Sequence, residues 1–136
     1  MRAHTEMIRV RYAETDKMGV AHHSSYLLWF ELGRTGLLRA AGHSYRDLET
    51  GGVMLPVVEY GAQFLKGAHY DDELAIETTI REVKSRVITF DYRVRRDDEI
   101  ISHGFTRHVW VDAANRPRRL PDDVLAAIAP FIAPEH

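Results

Sequence analysis

The stretch SSYLLWFELGRTGLLRAA, Ser24 to Ala41, constrains this chain more than any other. Tyr26, Phe30, Gly33, Leu37 and Ala40 recur three or four residues apart, the spacing of one helical face. Leu27, Leu28, Trp29, Leu32 and Leu38 widen the apolar surface well past that face. A helix apolar on so many sides has to be wrapped rather than laid on a surface. Ser24 or Ser25 can cap its start and Gly42 can end it. Gly33 and Gly36 each cost about 1 kcal/mol relative to alanine inside a helix. Close backbone approach, by a sheet or by a partner chain, accounts for that cost.

The wrapping has to come from strands. Residues 5–12 alternate, with Ile8, Val10 and Tyr12 on one side and Met7, Arg9 and Arg11 on the other. After the helix and a short linker at 44–52, four strand-like runs follow at 55–65, 73–83, 86–96 and 100–111. In the first of them Val58, Tyr60, Ala62 and Phe64 share a face. RDDE at 96–99 reads as the tight turn of a hairpin joining the last two. Residues 112–119 form a loop, and Pro121, Asp122 and Asp123 suit the first turn of a short helix ending near Pro130. Short links between the four late strands argue antiparallel pairing. The expectation is one α+β domain over 1–136, a curved sheet folded around one helix, whose open side and exposed edges favour a dimer.

Composition narrows the function classes. The net charge of −2 supplies no basic excess for nucleic acid. With no cysteine, disulfides, thiolate catalysis and zinc–thiolate sites are excluded. No stretch approaches membrane-spanning length and the first residues lack a signal-peptide core, so a soluble cytoplasmic protein is the expectation.

Between the first strand and the helix lies a polar turn, 13–23, holding Asp16, His22 and His23. A helix beginning near His23 offers free backbone N–H groups and the positive end of its dipole, donors able to hold a developing oxyanion. A carboxylate opposite them can activate water as a general base or attack a carbonyl as a nucleophile. The competing reading makes Asp16 a turn-capping or solvated residue. Asp16, His22 and His23 lack the spaced-ligand pattern of a metal site, so no metal and no cofactor are expected.

The segment RVRYAETDKMGVAHHSSYLLWFELGRTGLLRAAG, 9–42, resembles the signature of hotdog-fold acyl-CoA thioesterases. It is closest to the 4-hydroxybenzoyl-CoA thioesterase branch, which includes the Tol–Pal-associated thioesterases. The matching features are Tyr12 with Thr15-Asp16, Gly19-Val20, His23, Tyr26 and Trp29-Phe30-Glu31, and later stretches at 55–74 and 83–94 resemble it too. The resemblance implies a hotdog fold: a five-stranded antiparallel sheet wrapped around one long central helix. It also implies edge-to-edge dimers, often paired into homotetramers, with active sites at the dimer interface. Asp16 then matches the nucleophile or general base, and the His23 amide matches the carbonyl-polarising position. Tyr12 and the His23 ring match supporting residues, and Tyr26 is taken as substrate-binding. Lys84 and Arg86 lie where basic residues of relatives meet the CoA phosphates. Glu59 lies near the place where a separate hotdog branch carries its catalytic carboxylate, and it is read here as secondary. The chain departs from the family at Gly67 and His69, where many relatives have proline and arginine, and at Glu14, where aspartate is common.

The function so implied is hydrolysis of an acyl-CoA, aromatic or short to medium aliphatic, to free acid and CoA. Two alternatives stand beside it: a non-catalytic acyl-CoA or acyl-carrier binding module, and an enoyl-CoA hydratase. Against the binding module stands the cost of a buried, unused carboxylate at position 16.

Overall fold

The computed structural model describes residues 2–134. Its elements are β1 (His4–Arg9), α1 (His23–Ala40), α2 (Tyr45–Thr50), β2 (Val57–Phe64), β3 (Glu73–Val83), β4 (Val87–Arg96), β5 (Glu99–Val109) and α3 (Asp122–Ile128). The strands form one antiparallel sheet in the order β1-β3-β4-β5-β2, curved over the 18-residue α1. This is the α+β, hotdog-like architecture expected from the strand–helix–four-strand order.

The helix meets the sheet at its glycines. A Cβ on Gly33 would run into Thr78 Oγ1 and lie 3.0 Å from Ile76 Cγ2, both on β3. At Gly36 it would lie 2.6 Å from His4 Nε2 on β1 and overlap Glu6. The close approach is therefore made by the chain's own sheet. Trp29, Phe30, Leu37 and Leu38 fill the interface against Ile76, Ile80, Ile88, Phe90, Tyr92 and Val94, all buried. Phe30 stacks on Tyr92 with ring centroids 4.4 Å apart, near the optimum for an offset aromatic pair. The wrapping is one-sided, however. Leu28 and Leu32 stay about half exposed (51% and 47%), because a single sheet reaches only the face that carries the glycines.

Several sequence expectations shift by a few residues or more. The helix starts at His23, but its cap is His22 rather than Ser24 or Ser25: the His22 Nδ1 accepts from the Ser24 N–H at 3.2 Å. The linker 44–52 contains α2, capped by Ser44, whose hydroxyl accepts from Asp47 N–H at 3.1 Å. Tyr12 leaves the first strand; β1 ends at Arg9 and Tyr12–Glu14 form a 3-10 turn. Short links do pair β3 with β4 and β4 with β5, the latter through a turn with Asp97 at φ 52°. β2, by contrast, crosses to the far side and pairs with β5, from Val57 opposite His108 to Phe64 opposite Ser102. That placement makes β2 an edge strand whose outer backbone groups lack a strand partner among the described residues. Val57, Val58, Tyr60, Phe64 and the adjoining Leu65 are all between 40% and 60% exposed.

The glycine contact yields a direct test. Gly33→Ala gains about 1 kcal/mol of helix propensity but has to displace the buried Thr78 and Ile76, which costs about 1–3 kcal/mol. Urea denaturation should show net destabilisation, and Thr78→Ala in the same chain should recover most of it as a positive coupling.

Candidate active site

The polar turn is held from both ends. Val10, just after β1, is buried, and its N–H and C=O bond Asp72 O and Asp71 N at 2.9 Å each. Glu14 then folds inward. It is only 7% exposed, and its carboxylate accepts from Arg11 N–H at 2.7 Å and from the Trp29 indole N–H at 2.9 Å. Burial pushes this carboxyl up. The Arg11 N–H, the Trp29 indole and the Arg11 guanidinium outweigh that and hold it below the usual carboxylate range. Its backbone C=O meanwhile accepts from His22 N–H at 2.8 Å and from the buried Ser25 hydroxyl at 2.9 Å. Glu14 thus ties the turn to the first two turns of α1.

Between these anchors the chain closes on itself. Asp16 N–H donates to Val20 O at 2.8 Å, and Thr15 pairs with Ala21 across the turn. Gly19, at φ 77°, supplies the left-handed residue that such a turn requires. Asp16 Oδ1 accepts from Met18 N–H at 2.8 Å and from Val20 N–H at 3.3 Å, an Asx turn that fixes the carboxylate's direction. The carboxylate is exposed in the single chain, so the burial expected of it is absent there.

A second loop braces the turn from outside. Ala21 N–H donates to Ala68 O at 2.8 Å, and Val20 bridges to His69. That loop is itself stapled by Arg96, which donates to Gly67 O and to Asp72 at 2.9 Å each. Burial raises the Asp72 carboxyl, but the His69 N–H and Arg96 more than compensate and hold it low.

At the start of α1, His22 occupies the Ser24 N–H, while among the described residues no protein group accepts from the His23 N–H. His23 and Tyr26 wall a cavity of about 210 Å³ together with Val20, Phe64, Leu65 and Gly67. Tyr26 is 3% exposed, and burial raises its hydroxyl pKa. The fold therefore gathers His23 and Tyr26 around one hollow and sets Asp16 on the adjoining turn. Tyr12 stands apart, 77% exposed and edge-on to Tyr70 at 5.7 Å. Lys84 and Arg86 sit exposed at the β3–β4 turn, with Lys84 Nζ 3.7 Å from Glu82. Glu59 is engaged by Arg107 across the β2–β5 pair. None of these last three lines the His23 cavity.

Sequence reasoning missed Glu14 as an anchor and the 67–72 loop as a brace. Glu14 was visible only as a change from aspartate; its partner Trp29 lies 15 residues on, and no local pattern joins them. Among the described residues no three His, Asp or Glu side chains gather as metal ligands, and no helix is long and apolar enough to cross a membrane.

Comparison with known proteins places this geometry in context. The model of the thioesterase-like superfamily matches residues 10–128. The acyl-CoA thioesterase YbgC of Haemophilus influenzae is 33% identical over 122 residues, covering 88% of this chain and 90% of that protein. Among solved structures, a hypothetical protein from Thermus thermophilus superposes with a TM-score of 0.90 at 38% identity, over 96% of this chain and 98% of the other. The DHNA-CoA thioesterase of Staphylococcus aureus superposes with a TM-score of 0.90 at 28% identity, over 96% and 91%.

The Glu14 anchor has a pH signature. Its folded carboxyl titrates below the ordinary 4.5, so its contribution is complete above that pH and is lost as pH falls below it. Glu14→Gln should cost about 1–3 kcal/mol at pH 7, and the gap between parent and variant melting temperatures should shrink on acidification toward pH 3.

Proposed function

The chain belongs to the thioesterase-like superfamily, and from that premise we propose that it hydrolyses acyl-CoA thioesters at the Asp16 turn. The observation that carries this reading is the directed Asp16 carboxylate on the turn leading into an open His23 amide. Asp16 Oδ1 is committed to the turn, while Oδ2 is free to take a proton from water or to attack the carbonyl. The His23 N–H, at the positive end of α1, receives the negative charge that develops on the carbonyl oxygen. Water adds its oxygen to the carbonyl carbon, the C–S bond breaks, and the departing CoA thiolate takes up the proton. Tyr26 and Phe64 wall the acyl side of the reacting bond. Lys84, Arg86 and Glu59 are assigned to CoA and substrate contacts, and Tyr12 and the His23 ring to orienting roles in catalysis, on the resemblance alone.

We also propose that the working unit is a dimer joined through β2, in which the second copy closes over the exposed Asp16 turn. The unpaired apolar edge of β2 supports this, because such an edge left in solvent templates further strand pairing. Burial of Asp16 in such a seam would restore the argument against a non-catalytic binding module.

Asn at position 16 keeps the oxygen that the Asx turn uses and removes the charge. Asp16→Asn should therefore lower thiol release from benzoyl-CoA and short acyl-CoA esters by at least about a hundredfold, with an unchanged melting temperature. Equal rates in parent and variant would remove Asp16 from the chemistry. Tight binding of these esters with no turnover in the parent would favour the binding module, and loss of crotonyl-CoA absorbance without thiol release would favour a hydratase.

For the assembly, Val58→Lys combined with Tyr60→Lys sets like charges along the β2 edge. Sedimentation should then show monomers, with thiol release falling in step. A parent that sediments as an active monomer would refute the shared site.

A further inference from the structure

Gly67 is the one residue on the wall of the His23 cavity that brings no side chain, and neither its backbone nor its packing requires glycine. It does not take the left-handed φ of Gly19, Gly42 and Gly52. The loop around it is fixed by hydrogen bonds that leave position 67 free to carry a Cβ. Leu65 and Lys66 N–H donate to Ile101 O at 2.9 and 3.1 Å, and Arg96 Nη1 donates to Gly67 O at 2.9 Å. Ala68 O accepts from Ala21 N–H at 2.8 Å, and His69 N–H donates to Asp72 Oδ2 at 2.9 Å. Nor do neighbours press on the position as they do at Gly33 and Gly36. Beyond its own chain neighbours, a Cβ on Gly67 would meet one atom within 4 Å among the described residues, Val20 Cγ1 at 3.1 Å.

What the missing side chain leaves is space beside the Asp16 turn. Val20 shares the cavity wall with Gly67 and belongs to that turn: its N–H donates to Asp16 Oδ1 at 3.3 Å, and its C=O accepts from Asp16 N–H at 2.8 Å. The bracing loop and the Asp16 turn therefore meet at the Val20–Gly67 pair. Tyr26 and Phe64 wall the hollow with rings set edge to face, centroids 4.8 Å apart. Lys66 also lines it, but its Nζ is 2.6 Å from Glu99 and engaged there. The volume of about 210 Å³ exceeds the roughly 150 Å³ of apolar space that accepts a benzene ring. Methyl groups added at position 67 would exclude a ring before they excluded an unbranched chain.

We propose that Gly67 sets the width of the acyl group admitted beside His23. Glycine keeps room for a ring or a branch next to the thioester carbonyl, and larger side chains there narrow the site toward unbranched acyl chains. This role rests on the thioesterase reading; Gly67 bounds the acyl group and takes no part in bond breaking.

The test compares kcat/KM for benzoyl-CoA and butanoyl-CoA in the parent, Gly67→Ala and Gly67→Val. The benzoyl-to-butanoyl ratio should fall at each step, by about tenfold or more in all, with the fall carried by benzoyl-CoA. Val20→Ala in the Gly67→Val chain should recover most of the ratio, a coupling that mere damage to the loop would not produce. Gly67→Ala carries the test if Gly67→Val does not fold. Parent activity on butanoyl-CoA alone would refute the proposal at the outset. Both esters slowed alike in Gly67→Val, with a lowered melting temperature, would show that the glycine serves the loop and would overturn the assignment. Sedimentation of Gly67→Val as monomers with an unchanged ratio would give the space to a second copy instead, with the same consequence. If the parent released thiol from neither ester, the thioesterase reading would fail by itself. Calorimetric affinities for the two intact esters would then carry the comparison, and an affinity ratio unaltered by Gly67→Val would sink the Gly67 assignment as well.

Discussion

The contact on which the structure depends is the approach of α1 to β3 and β1 through two glycines. With a side chain at Gly33 the helix axis would have to withdraw from Thr78 and Ile76, and the stacked Phe30 and Tyr92 would part. Each glycine is unfavourable for an isolated helix. The packing of a wide apolar surface into a dense core outweighs that cost. Once seated, the helix has its start set against the loop between β2 and β3, beside the candidate site.

The turn before the helix is ordered by hydrogen bonds that converge from separate parts of the chain. Glu14 binds it to Trp29, while Ala68 and His69 hold its outer side. Inside that frame Asp16 needs only its own Asx turn to be directed, so its outer oxygen carries no structural duty. His22 has the complementary task. By capping Ser24 N–H it leaves the neighbouring His23 amide as the donor on offer. A carboxylate kept in one direction and an amide kept open are preorganised features, the kind that stabilise a transition state without reorganisation.

The edge position of β2 bears on the proposed assembly. The strand that leaves its apolar side chains in solvent also supplies walls to two different cavities, one at each end. A two-fold partner on that edge would bring unlike cavities together and would cover exposed surface in the same step.

Much of this was legible in the residues. Alternation at 73–83 and 86–96, the Asp97-Asp98 turn and the apolar run after Ser24 are local signals, because period and turn chemistry are properties of neighbouring residues. The polar turn stood out for the same reason, and the family resemblance attached roles to Asp16 and His23. The sequence by itself therefore determined the five strands, the long helix, their order and the candidate nucleophile or base, though not the short helix α2. Only the tertiary structure decided that β2 crosses to the far edge beside β5, that the glycines face the chain's own sheet, and that Glu14 anchors the turn. Each of these joins residues fifteen or more positions apart. Such contacts follow from the balance of burial and hydrogen bonding over the whole chain, which no local window contains.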